Sequence, residues 1–129
     1  MPRVGRILMS LHPEWADAIY RREKRFEFRR RRLNVNPGDV VVIYETRPVG
    51  LVTGEFVIRV VHHGPIRDIK KLETDPKRKR YLAAYLRGAG EATALEICKP
   101  RRYRPRQSLA RFKVGTAPMS YVRLPDVSR

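Results

Sequence analysis

The strongest constraint on the fold is the segment of residues 39–44, in which Asp39 is followed by a continuous apolar run, and which lies between two turns. Asn36-Pro37-Gly38 precedes the segment and Arg47-Pro48-Val49-Gly50 follows it. Both are typical turn sequences. A run of Val, Ile and Tyr without alternating polar residues predicts a strand that is buried on both faces. The rest of the chain must therefore supply apolar partners for two sides of this strand.

The remaining pattern predicts five further strands and three helices. The strands are expected at residues 4–11, 25–32, 51–61, 92–98 and 120–124, and the helices at residues 13–23, 65–73 and 76–87. Residues 100–105, rich in Pro and Arg, are predicted to form a loop. Because strands outnumber helices and short turns join most neighbours, we expect one α+β domain over residues 1–129, a small mixed β-barrel with helices packed at its ends.

The net charge of the chain points to a polyanionic partner. Lys and Arg total 29 against 13 Asp and Glu, which gives a formal charge of +16. A charged surface without a ligand, as in a thermophile, explains many charges but not one dominant sign. Each neutralised phosphate releases counterions and adds affinity, so a nucleic acid is the expected partner, RNA in particular. A hydrophobic content of 42% excludes a disordered tail.

The basic residues are concentrated in three segments. Residues 21–32 hold eight of them, residues 77–80 hold four and residues 99–106 hold five. The first and third segments are rich in Arg, whose planar fork matches phosphate oxygens and stacks on bases. For residues 77–80 a solvated helix face is the simpler interpretation. Tyr103 is either a stacking platform for a base or an anchor that packs on the barrel.

Five short motifs together resemble a known family. Residues 10–20 read Ser-Leu-His-Pro-Glu-Trp-Ala-Asp-Ala-Ile-Tyr, and residues 21–30 read Arg-Arg-Glu-Lys-Arg-Phe-Glu-Phe-Arg-Arg. Pro-Gly-Asp at 37–39, Gly-Glu-Phe-Val at 54–57 and Ala-Pro-Met-Ser-Tyr at 117–121 follow. This order and spacing resembles ASCH-domain proteins of the PUA-like superfamily. In their Gly-x-Lys-x-x-Glu-x-Arg signature, Lys24, Glu27 and Arg29 match, while Arg22 stands in place of Gly.

The resemblance implies a compact barrel with a cleft lined by Lys24, Glu27 and Arg29, and an association with RNA or modified nucleosides. We predict that the cleft and the neighbouring basic segments bind nucleic acid. The predicted binding residues are Arg22, Lys24, Arg25, Glu27, Arg29, Arg30, Arg31, Arg101, Arg102, Tyr103 and Arg104. A different possibility is a basic structural protein of a large RNA assembly, without a function for the cleft.

The resemblance also opens an enzymatic alternative centred on Lys24. Some family members are amidohydrolases that act on acylated cytidine, and in these a Lys works with a Thr three residues later and a Glu from a later segment. Here Glu27 occupies the Thr position and the later segment is basic, which argues against this chemistry but not against binding. In a ribonuclease-like alternative, Tyr20, Lys24 and Ser120 share proton transfer. The simpler interpretation is that Lys24 binds phosphate or pairs with Glu27, while Tyr20 and Ser120 have packing roles.

The sequence predicts neither a metal site nor a cofactor. His62 and His63 are adjacent, so on a strand they point to opposite faces and do not share a metal. Cys98 is the single cysteine, which excludes an internal disulfide, and we expect it to pack in the core. The sequence shows no signal-peptide pattern and no apolar window long enough to span a bilayer, so we expect a cytoplasmic protein. The oligomeric state is not predicted.

Overall fold

Residues 3–128 are described by the computed structural model of the chain, and they form six strands, three α-helices and one 3-10 helix. In chain order these are β1 (Arg3–Leu11), α1 (Pro13–Tyr20), β2 (Phe26–Arg29), β3 (Val40–Glu45), β4 (Leu51–Pro65), α2 (Ile66–Lys70), α3 (Pro76–Tyr85), β5 (Glu91–Gln107), the 3-10 helix η1 (Leu109–Phe112) and β6 (Tyr121–Ser128). The predicted α+β class is confirmed.

The six strands form one mixed sheet in the order β2-β5-β4-β3-β1-β6. β1 and β3 run parallel, and the other neighbouring pairs are antiparallel. The sheet is not closed into a barrel, so this part of the prediction is wrong. β2 has only four residues and, among the strands of residues 3–128, pairs with β5 alone. A side chain of β2, described below, and not a backbone ladder, spans the gap towards β1 and β6.

β3 lies in the interior of the sheet, between β4 and β1, and it is buried as the apolar run predicts. All six of its residues are buried. Because side chains alternate across a sheet, β1 and β3 feed two cores on opposite faces. One core contains Ile7, Met9, Leu11, Val41 and Ile43 together with Ala16 and Ile19 of α1. The other contains Val4, Leu8, Val40, Val42, Tyr44, Val52 and Leu124.

The segment 100–105 is not a loop, which corrects the prediction. It belongs to β5, which runs for 17 residues, and it pairs with β4 through Arg101 opposite Glu55 and Arg102 opposite Gly54. Proline is tolerated in a strand where the ladder is irregular. The ladder between β4 and β5 shifts register in this part, between Glu55 and Val57 and again between Val52 and Gly54.

Helix α1 begins at Pro13, as predicted, but ends at Tyr20, before the expected position. The chain leaves the helix through Arg22, which has a left-handed backbone with φ of 62°. Glycine adopts this conformation without strain, whereas an L side chain does not. The backbone therefore gives a physical reason for a glycine in the family signature at the position that Arg22 occupies.

Helices α2 and α3 cover the end of the sheet that carries β2. Asp75 caps α3, because its side chain accepts a hydrogen bond from the backbone N–H of Arg78. A third apolar cluster joins these helices to β2 and β5 and contains Phe28, Ile69, Leu82, Leu86, Ala92 and Ala94. In residues 3–128 no helix has the length and apolar character that crossing a membrane requires.

Candidate nucleic-acid binding cleft

A cleft of about 400 Å³ opens between α1, β2, α3 and the segment that leads into β6. A volume in this range is typical of sites that bind small organic molecules. Lys24, Glu27 and Arg29 line the cleft together, as the resemblance implies. Glu27 and Arg29 are brought there by β2, whose alternation turns them away from Phe28 and the third apolar cluster.

An ion triad forms the floor of the cleft. The Lys24 ammonium lies 3.4 Å from Oε1 of Glu27, and Nε of Arg29 lies 3.1 Å from Oε2 of the same carboxylate. Lys24 and Glu27 are each only 6% exposed. The ammonium also donates to the carbonyl oxygen of Phe26. A buried charge is stable only when it is paired and hydrogen-bonded, and Glu27 meets this requirement for both cations.

Arg29 connects the two edges of the sheet. Its Nη1 donates to the Ser120 hydroxyl at 3.1 Å, and its Nη2 donates to the carbonyl oxygen of Ser10 at 3.2 Å. Ser10 belongs to β1 and Ser120 directly precedes β6, whereas Arg29 ends β2. The guanidinium therefore holds the wall of the cleft in place as well as contributing its charge.

A second ion pair in the cleft was not foreseen from the sequence. Nε of Arg78 lies 3.2 Å from Oε1 of Glu73, and the second carboxylate oxygen accepts from the backbone N–H groups of Thr74 and Asp75. Glu73 is 5% exposed. In the sequence, Glu73 directly precedes Thr74-Asp75-Pro76, the start of α3. This position alone does not show that Glu73 lines the cleft, because that depends on how α3 packs against β2.

The charges of the triad and of this ion pair do not cancel. Two carboxylates, Glu27 and Glu73, face three cations, Lys24, Arg29 and Arg78. One positive charge remains in a partly enclosed space, where the field acts more strongly than in bulk water. The cleft therefore favours an anion or an oxygen atom that carries partial negative charge.

Aromatic side chains form the rim of the cleft. Tyr81 is 56% exposed and Tyr85 is 43% exposed, although both lie on a helix that packs against the sheet. Trp15 meets Tyr81 edge-to-face, with ring centroids 5.3 Å apart. Met119 projects fully into solvent at the same rim. Large exposed side chains around a charged pocket are typical of a ligand-binding surface.

The other predicted binding residues of the first basic segment lie outside the cleft. Arg22, Arg25 and Arg31 are exposed. Arg25 lies above the ring of Phe26, with its guanidinium carbon 6.0 Å from the centroid. Arg30 donates to the carbonyl oxygens of Tyr85 and Arg87. It therefore satisfies the carboxyl end of α3, a structural role in addition to the predicted one.

The predicted binding residues of β5 do not reach the cleft. Arg102 pairs with Asp17 of α1 at 2.9 Å and covers the ring of Tyr20. Arg101 and Tyr103 point to the opposite face, where both contact the carboxylate of Glu55. Arg104 is exposed. The structure therefore places three of the predicted nucleic-acid binding residues, Lys24, Glu27 and Arg29, in the cleft, and the others on separate parts of the surface.

Of the three groups in the ribonuclease-like alternative, two are brought near each other. Lys24 and Ser120 are linked through Glu27 and Arg29. Tyr20 is not among the residues that line the cleft, and its hydroxyl bonds with that of Thr53 at 2.8 Å. Burial raises the pKa of Tyr20 above its ordinary value, although the hydrogen bond to Thr53 lowers it.

The two adjacent histidines point to different partners. His62 contacts Glu96, and His63 contacts Thr93 and Glu91. Within residues 3–128 no group of three or more His, Cys, Asp or Glu side chains is arranged to hold a metal ion. Cys98 is a free thiol, and it is only partly buried.

The mixed, open six-stranded sheet with its helices defines an α+β domain. The ASCH domain family matches residues 9–105, and this match fits the PUA-like fold. The chain belongs to this family, as the sequence motifs predict.

Solved structures support the same assignment. The crystal structure of ASCH from Zymomonas mobilis has a TM-score of 0.80 to this chain, with 26% identity over 93% of this chain and 87% of that chain. A serine-to-alanine variant of the same protein has a TM-score of 0.81, with 25% identity over 97% of this chain and 92% of that chain. A tyrosine-to-phenylalanine variant scores 0.80 at 25% identity, over 93% and 90% of the two chains. A search of curated proteins gave no match.

Proposed function

We propose that this ASCH-domain protein binds RNA or a modified nucleotide, with the cleft as its principal site. The observation that supports the proposal most is the ion triad of Lys24, Glu27 and Arg29 at the floor of a cleft with an aromatic rim. The cytoplasmic location expected from the sequence belongs to the same proposal.

The charges of the floor suit an oxygen-rich ligand. Arg29 is held by three acceptors, so its guanidinium is oriented before a ligand arrives. A preoriented cation loses less freedom on binding than a mobile one does. The excess positive charge attracts a phosphate or the carbonyl oxygen of a base, while the carboxylate of Glu27 is an acceptor for an exocyclic amine.

The rim supplies the contacts that bases need. Tyr81 and Tyr85 present exposed rings beside the charged floor. Aromatic side chains stack on bases of any sequence and contribute about 1–3 kcal/mol per base. The exposed Arg22, Arg25 and Arg31 lie on the same segment as the triad, where they attract the phosphates of a longer strand.

The test is a titration of fluorescent single-stranded RNA at several salt concentrations, with the RNA inspected on a gel afterwards. We expect a log–log salt slope of about −3 to −5, which corresponds to roughly four to seven phosphate contacts. Absence of binding at low salt contradicts binding of RNA and points to a free nucleoside or nucleotide, or to a protein partner.

Two pairs of variants locate the binding. Lys24→Met and Arg67→Gln each remove one positive charge, but Arg67 lies on α2 outside the cleft. Lys24→Met is expected to weaken RNA binding about tenfold or more. Arg67→Gln is expected to weaken it only as much as the loss of one positive charge outside the cleft does. Tyr81→Ala removes the ring, whereas Tyr81→Phe keeps it and should bind as the native protein does. If Lys24→Met and Tyr81→Ala leave affinity unchanged, a basic structural protein becomes the better explanation.

A second candidate function is an enzyme acting on RNA or a modified nucleoside. The observation in its favour is that the cleft holds Lys24 together with Glu73, an acidic residue from a later segment, although Glu27 still occupies the position of the Thr in the amidohydrolases of the family. Against it, the Lys24 ammonium is already engaged by Phe26 and Glu27. Two results together favour the enzyme. Product formation is lost in Lys24→Met, and RNA binding is only weakened when Tyr81 is replaced.

A further inference from the structure

A groove on the other side of the sheet shares no residue with the cleft. It measures about 390 Å³, and it is lined by Arg101, Tyr103, Arg104, Gln107, Arg111 and Phe112. The carboxyl-terminal part of β5, from Arg101 onwards, supplies four of these side chains and η1 supplies two. Arg102, between Arg101 and Tyr103, points instead to Asp17 and Tyr20 of α1. The groove therefore faces away from α1, which forms one wall of the cleft.

Tyr103 is fixed as one wall of this groove. Its hydroxyl donates to Oε1 of Glu55 at 2.8 Å, and its ring lies nearly parallel to that of Phe112, with an interplanar angle of 11° and centroids 6.4 Å apart. Both rings pack against the apolar cluster of Leu8, Val42 and Tyr44. The wall is consequently rigid, which suits stacking because little side-chain entropy remains to be lost.

The cations of the groove exceed its single acidic neighbour. Arg101 lies 3.2 Å from Oε1 of Glu55 and above the ring of Tyr103, with its guanidinium carbon 5.3 Å from the centroid. Arg104 and Arg111 are exposed, and among residues 3–128 neither forms an ion pair. Two guanidinium groups without a counter-charge beside an aromatic wall are the elements that bind a phosphate and its neighbouring base.

We propose that this groove is a second RNA-binding site, in which Arg104 and Arg111 contact backbone phosphates and the wall of Tyr103 and Phe112 receives the adjacent nucleotide. The inference rests on the proposed function and extends it, because it assigns Arg101, Tyr103 and Arg104 to a separate surface and adds Arg111 and Phe112. RNA long enough to occupy both surfaces would then gain affinity from two linked contacts.

The experiment compares two double variants with the same loss of charge. Arg104→Gln with Arg111→Gln removes both unpaired cations of the groove, whereas Arg67→Gln with Lys70→Gln removes two exposed cations of α2. Salt-dependent titrations use fluorescent single-stranded RNA and polyphosphate of matched charge. For the groove variant we expect the RNA salt slope to fall by about 1.4, since each phosphate on a single strand contributes about 0.7, with an affinity loss of roughly tenfold.

The outcomes separate this proposal from that for the cleft. If Lys24→Met abolishes RNA binding and the groove variant binds with the native slope, the second site is wrong and the cleft remains. If the salt slope for RNA binding falls in the groove variant but stays at the native value in Lys24→Met, the second site stands and the cleft proposal fails. No binding of RNA by the native chain overturns both. Polyphosphate bound as tightly as RNA overturns the assignment to RNA, because the aromatic wall then contributes nothing.

Discussion

The Arg29 guanidinium donates to the Ser120 hydroxyl at 3.1 Å and so joins the two open edges of the sheet. Backbone hydrogen bonds do not close the sheet at this point within residues 3–128. Since the same guanidinium binds Glu27 in the floor of the cleft, one side chain both shapes the cleft and links the two edges of the sheet.

The first prediction concerns this double role. Arg29→Gln removes one partner of a buried carboxylate, although Glu27 keeps Lys24, so we expect the free energy of unfolding to fall by about 2 kcal/mol. Ser120→Ala removes only one exposed hydrogen bond and should cost about 0.5 kcal/mol or less. Urea unfolding of both variants measures the difference. Equal losses would show that Arg29 contributes no more to stability than its contact with Ser120.

The second prediction follows from the left-handed backbone of Arg22. Arg22→Gly relieves a strain of about 1–2 kcal/mol but adds freedom to the unfolded chain. We expect a net gain of about 0.5 kcal/mol in the free energy of unfolding. The control is Arg31→Gly, on an exposed residue outside the set with positive φ, which should lose stability. Destabilisation of both variants alike would contradict the explanation for the glycine of the family signature.

The third prediction tests the close approach of β4 and β5. A Cβ atom on Gly54 would lie 2.5 Å from the Tyr20 hydroxyl and would also collide with the carbonyl oxygen of Arg101. Gly54→Ala must therefore displace backbone, and we expect it to cost roughly 3 kcal/mol or to prevent folding. Gly64 lies on the same strand with no atom within 4 Å of the corresponding position. Thermal melting of Gly64→Ala should stay near the native value, and a similar loss in both variants would argue against the clash.

The fourth prediction is a dependence of stability on alkaline pH. Burial raises the pKa of both Tyr20 and Tyr103 above the ordinary value of 10.0, and the Glu55 carboxylate adds to the shift for Tyr103. A raised pKa means that the folded state favours the protonated phenol. The resulting stability is fully present below pH 10 and is lost as the pH rises further.

Ultraviolet titration of the six tyrosines tests this directly. We expect two phenols to ionise only at the pH at which the protein unfolds. Tyr20→Phe should remove one late-titrating group and flatten the alkaline decrease in stability. Tyr85→Phe, which changes an exposed phenol, serves as the control. Ionisation of all six phenols in a single step near pH 10 would contradict the prediction.

Local sequence patterns were sufficient for most of the elements but not for their relations. The short apolar run within residues 39–44, bounded by turns and rich in β-branched residues, specified a strand buried on both faces, and all six residues of β3, Val40–Glu45, are buried. The sequence of residues 100–105 predicts a loop, because Pro and Arg are typical of loops, but these residues belong to β5. A strand with a shifted register on β4 tolerates them, and that register depends on Gly54, which lies almost fifty residues away.

The sequence by itself determined the α+β class and the family, because these follow from the order of elements and from short motifs along the chain. It also determined the grouping of Lys24, Glu27 and Arg29, because these residues are spaced along one turn and one strand. Only the tertiary structure decided that the sheet stays open, that Glu73 joins the cleft, that Tyr20 lies outside it, and that Arg101, Tyr103 and Arg104 face a separate groove with Arg111. The physical reason is that such contacts depend on how distant segments pack, and a charged side chain carries no signal in its own sequence of which distant partner will neutralise it.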